Sequence, residues 1–151
     1  MKNILLVFVV LCCISCTPKK EDITFHECEF RFSEVNNNPF DHIEDYKKWI
    51  DNKQEAIRSN LYFYELERNK RNLDSLYKTK AHYLFIIGGG GIWVRAKDCN
   101  AEIKNDTLFI AYTPKWNRKP VGEAAPTMMC LELDKTKYPN YKALEIVYIQ
   151  R

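Results

Sequence analysis

The chain has 151 residues, 13% of them aromatic, and a formal charge of +3 at pH 7. This length suits one domain with its own hydrophobic core. The aromatic content excludes the class of disordered chains, which lack the apolar surface that repays the entropy of ordering. A small net charge gives no long-range field suited to nucleic acid, so we expect no nucleic-acid partner.

The first sixteen residues have the pattern of an export signal. Lys2 precedes an apolar run that starts at Ile4, and Ser15 stands directly before Cys16. These are the charged, apolar and small-residue parts of a secretory signal peptide. A cysteine directly after the cleavage position resembles the lipobox of bacterial lipoproteins.

The lipoprotein resemblance implies what happens to these residues. Residues 1–15 are removed, the Cys16 thiol receives a diacylglyceryl group, and the new amino terminus is acylated. More than one acyl chain makes membrane attachment stable, so the resemblance implies anchoring in the bacterial cell envelope, at the outer membrane. The alternative is a secretory signal without lipid, since Cys13 replaces the leucine usual three positions before the modified cysteine. The apolar run is too short for a transmembrane helix.

A polar tether of residues 16–22 follows the signal. Within it, Lys19, Lys20, Glu21 and Asp22 resemble the surface-export signal of some Gram-negative lipoproteins. The alternative is an ordinary solvated linker. Either way, we expect the folded domain to span residues 23–151.

The first part of this domain mixes strand and helix patterns. In residues 26–32, apolar and charged residues alternate with the period of a half-buried strand. Residues 43–57 have the apolar spacing of a helix, with Asp41 as its N-cap. Residues 61–66 favour a strand, and residues 69–78 favour a second helix.

The second part is rich in strands. The predicted strands are residues 83–87, 92–95, 101–104, 107–112, 130–133 and 144–149. We expect the glycines at 88–91 to join the first two as a hairpin, and Asn105 and Asp106 to turn the chain between the next two. The sequence therefore predicts a single α+β domain, a mostly antiparallel sheet with one or two helices packed on one face.

Three cysteines remain after the signal and Cys16 are set aside. Export places them in a setting that permits disulfides. We expect Cys99 and Cys130 to form one, because both flank strands in the same half of the chain. The alternative is that Cys28, Cys99 and Cys130 are all buried free thiols.

The motifs associated with chemistry are weak. The glycines at 88–91 precede a strand rather than a helix, which favours a hairpin turn over a phosphate-binding loop. His26 and Cys28 share a strand face but have no companion at zinc-site spacing, so we expect no metal. The serines lack the hydrolase elbow motif. We therefore predict no catalytic residues and no cofactor.

Residues 114–129 are the best candidate for a binding surface. This connection carries Trp116, Arg118 and Pro120. Tryptophan and arginine dominate binding hot spots, and proline stiffens a loop in advance of binding. The alternative is a plain connection in which Trp116 packs against the sheet.

These observations favour a lipid-anchored, non-enzymatic module that binds another protein, in an inhibitor or toxin-immunity role. One alternative is a small ligand-binding or hydrolytic lipoprotein with a cleft lined by His82 or another histidine, with a serine, cysteine or carboxylate in reach. Another is an accessory subunit of an envelope assembly.

Overall fold

The computed structural model describes residues 22–30, 47–63, 72–88, 92–116 and 127–151. These residues form two α-helices and ten strands, with short 3₁₀ turns at Ala96–Asp98 and Tyr141–Ala143. The helices are α1 (Lys53–Arg58) and α2 (Leu73–Thr79). The strands are β1 (Ile23–Glu29), β2 (Lys47–Ile50), β3 (Tyr62–Phe63), β4 (Lys80–Ile87), β5 (Ile92–Trp93), β6 (Cys99–Lys104), β7 (Thr107–Tyr112), β8 (Lys115–Trp116), β9 (Thr127–Asp134) and β10 (Glu145–Gln150).

A five-stranded antiparallel sheet forms the centre of the fold, in the order β2-β4-β9-β1-β3. Strands β4 and β9 pair along their whole lengths, from Lys80 opposite Asp134 to Ile87 opposite Thr127. Both strands are almost continuously buried, because other layers cover both faces of the sheet. The predicted central strand over residues 83–87 is confirmed.

A second sheet, in the order β10-β7-β6, covers one face of the first. Strands β6 and β7 form the predicted hairpin, and β10 adds to β7 as a parallel strand. The main core lies between the two sheets. There Tyr83, Phe85 and Leu131 pack with Leu108 and Ile110.

The two helices cover the opposite face of the five-stranded sheet. Ala56 of α1 and Tyr77 of α2 pack with Leu84, Cys28 and Cys130 in a smaller cluster. A mostly antiparallel sheet with helices on one face confirms the predicted α+β class.

The prediction of a helix over residues 43–57 is wrong for residues 47–50. Residues 47–50 form strand β2, because Trp49 and Ile50 pair with Tyr83 and His82 of β4. The helix begins only at Lys53, where the Asn52 side chain accepts a hydrogen bond from the Glu55 amide. Asp41 lies outside the described residues.

The predicted hairpin across the glycines at 88–91 is also wrong. Strand β4 pairs with β9 along its whole length and with β2 over residues 82–85, and in the residues that the structure describes it has no pairing with β5. Strand β5 pairs instead with β8 in a separate two-stranded ribbon. Gly88 leaves β4 with a φ of +85°, which glycine adopts without strain.

Replacing Asp106 by glycine is expected to stabilise the protein by about 0.5 to 1 kcal/mol. Asn105 and Asp106 have φ values of 48° and 59°, as a type I′ turn requires, and Asn-Gly is the preferred pair for that turn. Urea denaturation of the two proteins measures the difference. Asp106→Val, which strains the same position, should destabilise, and equal stability of all three proteins would contradict this account of the turn.

Candidate binding surface

Trp116 lies on the surface of the β5–β8 ribbon. Ile92 is opposite Trp116, and Trp93 is opposite Lys115. The Trp116 side chain is 68% exposed, the largest exposed fraction among the large apolar residues that the structure describes as exposed. The alternative in which Trp116 packs against the sheet is therefore wrong. An indole this exposed is available for contact with another molecule.

Charged contacts hold the ribbon in place. The Lys115 ammonium lies 2.8 Å from both carboxylate oxygens of Asp98, and the Thr113 amide donates to the Asp98 carbonyl at 3.1 Å. The hydrogen bond from Lys115 lowers the pKa of Asp98. Arg95 lies 4.7 Å and Lys115 lies 5.5 Å from the centre of the Trp93 ring, within the range of cation–π attraction.

The two faces of the ribbon differ. Trp116 and its cross-strand partner Ile92 lie on one face, whereas Trp93 and Lys115, with Arg95 against the Trp93 ring, lie on the other. Trp116 therefore presents a large aromatic side chain beside an apolar neighbour, and such a surface fits an apolar pocket on another molecule.

The structure describes one of the three predicted loop residues. Trp116 is described, while Arg118 and Pro120 lie outside the described residues, as does Cys16 with the signal and most of the tether. Asp22 at the end of the tether is described. Its carbonyl accepts a hydrogen bond from the Asp134 amide at 3.1 Å, and its carboxylate pairs with Lys137.

The structure does not contain the predicted disulfide. Cys28, Cys99 and Cys130 are all free thiols. Cys99 packs against the core between the sheets, whereas Cys130 belongs to the cluster under the helices, on the opposite face of the central sheet. The sulfur atoms therefore cannot meet through the sheet. Cys130 is instead hydrogen-bonded with Cys28, its neighbour on the same face.

A buried ionic cluster was missed by the sequence reasoning. Glu132 of β9 lies 3.5 Å from both the Lys80 ammonium and the His82 Nε2, and 3.9 Å from the His26 Nε2. The Tyr77 hydroxyl is hydrogen-bonded to the His82 Nδ1 at 3.1 Å. The available signal was a pair of polar residues two positions apart at one end of each of two otherwise apolar strands, Lys80 and His82 on β4 and Glu132 and Asp134 on β9.

The cluster keeps the Glu132 carboxylate charged. Burial alone raises the pKa of Glu132, but the hydrogen bond with His82 and the charges of His82, Lys80 and His26 outweigh it and lower the pKa to about 2. His82 is fully buried, so this histidine does not line a cleft. The geometry is that of a packed ion pair inside the fold.

His26 and Cys28 do not converge on a shared site. The His26 ring lies beside Thr24 and Glu132, while Cys28 is buried with Cys130. Among the residues that the structure describes, no group of three or more histidine, cysteine or acidic side chains is arranged to hold a metal ion. In the same residues, no helix is long and apolar enough to span a membrane.

Comparisons with protein-family models, with curated proteins and with solved structures give no match to this chain.

Proposed function

We propose that the protein is a lipid-anchored lipoprotein of the bacterial cell envelope whose residues 23–151 form a single domain that binds another protein. Its role is non-enzymatic, of the inhibitor or toxin-immunity type. The observation that carries this proposal is the exposed Trp116 on a ribbon fixed by the Lys115–Asp98 ion pair.

The physical case rests on the energetics of interfaces. Tryptophan is one of the residues most often found at the centre of a protein interface, where truncation costs 2 kcal/mol or more. Binding is weakened when a loop must be ordered first, so a ribbon that is already held at Asp98 and around Trp93 lowers that cost.

The segment between the proposed anchor at Cys16 and the folded domain is short. The chain is fixed to the fold at Asp22, which pairs with Lys137 and accepts from the Asp134 amide. The six residues 17–22 between Cys16 and this point span at most about 20 Å when fully extended. A lipid on Cys16 would therefore hold the domain close to the membrane, where its partner must also be found.

Replacing Trp116 by alanine is expected to weaken partner binding at least 30-fold, because an interface loses its central aromatic side chain. The partner is first captured from membranes with the tagged native lipoprotein and identified by mass spectrometry. Its affinity for the purified protein and the variant is then measured by calorimetry.

Ile57→Ala is the matched control, because Ile57 is 58% exposed on α1 and lies outside the ribbon. This control should bind normally, and both variants should retain the thermal stability of the parent. Equal binding by Trp116→Ala and the parent would overturn the proposal that this surface recognises the partner.

A further inference from the structure

A groove runs between strand β1 and strand β6 and encloses a volume of about 1000 Å³. Residues 22–26 form one wall and residues 99–103 form the other. Ala96 and Lys97 line one end, where the Ala96 amide donates to a Glu27 carboxylate oxygen at 3.2 Å. The volume is at the upper limit for small-molecule sites.

Consecutive residues line the β6 wall, which shows that the groove runs along the edge of this strand. Successive side chains of a strand point to opposite faces of its sheet. Because residues of both faces line this wall, the wall is the edge of the strand rather than one face of the sheet. Strand β6 pairs with β7 on its other side and has no further strand partner among the described residues.

The hairpin register identifies which backbone groups face the groove. In a hairpin with a two-residue turn, the residues flanking the turn exchange both hydrogen bonds, and this pairing recurs at every second position. Lys104 and Thr107 flank the turn at Asn105 and Asp106. The backbone N–H and C=O groups of Ala101 and Ile103 therefore point away from β7 and toward the groove.

The side chains around the groove separate into an apolar floor and a polar rim. Phe25, Ala101 and Ile103 pack against the core between the sheets, and they form the floor. Asn100 and Glu102 are exposed and form the rim. A strand with alternating apolar and polar residues matches this arrangement, because its side chains also alternate between two faces.

We propose that the groove binds an extended segment of a partner protein, which adds to β6 as a strand and places every second side chain on the apolar floor. Because residues 22–26 form an opposite wall, the groove suits a narrow extended segment better than the broad sheet edge of a second copy of this chain. This inference rests on the proposed protein-binding function. The end of the groove at Ala96 and Lys97 adjoins Asp98, which holds Lys115 of the β5–β8 ribbon.

The test uses the full-length protein in detergent and a fluorescent synthetic peptide of eight residues in which threonine and valine alternate between terminal lysines. Binding is followed by anisotropy, and amide hydrogen exchange is measured across residues 99–104. We expect binding together with slower exchange in this segment. A control peptide has the same sequence but is N-methylated at alternate residues, so that one of its edges has no backbone N–H donors. This control should bind at least tenfold more weakly.

Two protein variants complete the test. Ala101→Pro removes the backbone donor that faces the groove, and a proline is tolerated at such an edge position, whereas Ala101→Val retains the donor. Only the proline variant should lose peptide binding. Trp116→Ala should bind the peptide normally. The groove proposal can therefore be judged separately from the proposal that Trp116 recognises a partner.

Three results would overturn the groove proposal: no peptide binding at millimolar concentration, equal binding of the N-methylated peptide, or unchanged exchange at residues 99–104. Concentration-dependent dimers that are abolished by Ala101→Pro would also overturn it, because the occupant would then be a second copy of the chain. If the proline variant fails to fold, the comparison of the two peptides on the parent protein still tests the proposal.

Discussion

Replacing Glu132 by glutamine is expected to lower the free energy of unfolding by about 3 kcal/mol at pH 7. The Lys80 ammonium and the His82 ring are buried beside this carboxylate, at 3.5 Å each. The neutral amide keeps the volume of the side chain but removes the negative charge, which leaves the buried Lys80 charge with the more distant and more exposed Asp134 carboxylate, at 3.8 Å, as its counter-charge. Urea denaturation monitored by far-UV circular dichroism measures the loss.

The same variant has a characteristic pH dependence. The folded-state pKa of Glu132, about 2, lies below its ordinary value of 4.5. Its contribution to stability is therefore fully present above about pH 4.5 and is lost as the pH falls toward 2. The stability difference between the parent and Glu132→Gln should shrink over this interval, because the protonated parent comes to resemble the variant.

Glu102→Gln provides the control for the Glu132 experiment. Glu102 is exposed and pairs with Lys104 at 2.9 Å on the surface, where an ion pair contributes little. We expect a change below about 0.5 kcal/mol. A Glu132→Gln variant that is as stable as this control at pH 7 would show that the buried cluster does not hold the fold together.

Replacing Cys16 by serine is expected to move the protein from the membrane fraction to the soluble fraction, or to leave it unprocessed. The reason is chemical, since a thioether cannot form on a hydroxyl group. Fractionation and immunoblotting of cells that express each form give the distribution. Intact-mass analysis of the parent should show the added acyl chains.

Cys99→Ser is the matched control for the anchor. Cys99 is a free thiol that donates weakly to the Arg95 carbonyl, and burial, with the charges of Asp98 and Glu27, raises its pKa to about 12. This control should remain in the membrane fraction with its lipid. Membrane retention of the Cys16 variant would refute the lipoprotein proposal.

Local patterns predicted the parts of the fold that depend on local sequence. The apolar run at residues 83–87 became the centre of β4, and Asn105 with Asp106 formed the expected turn. Turn residues favour their conformation wherever they occur, and a long apolar run must be buried somewhere. Trp116, predicted in a connection, lies in the short strand β8 and is exposed, while its role in binding stays a prediction.

The remaining features depend on contacts between distant parts of the chain. Residues 47–50 have helical spacing, but pairing with β4 overrides that preference and makes them a strand. The choice of Cys28 rather than Cys99 as the neighbour of Cys130 follows from which face of the sheet each occupies. The ionic cluster around Glu132 joins three strands. Its contacts depend on how those strands pair, which the sequence pattern does not predict.

The position of β1 in the central sheet has a consequence for the order of folding. This first strand pairs with β9, so that Ile23 is opposite Leu133 near the other end of the chain. Strand β4 also has β9 as a neighbour, and the sheet cannot close until residues 127–134 have been synthesised. Pairing over such a long sequence separation slows folding. Slow folding keeps the chain unfolded for longer. The proposed export requires this, because the chain must cross a membrane before it folds.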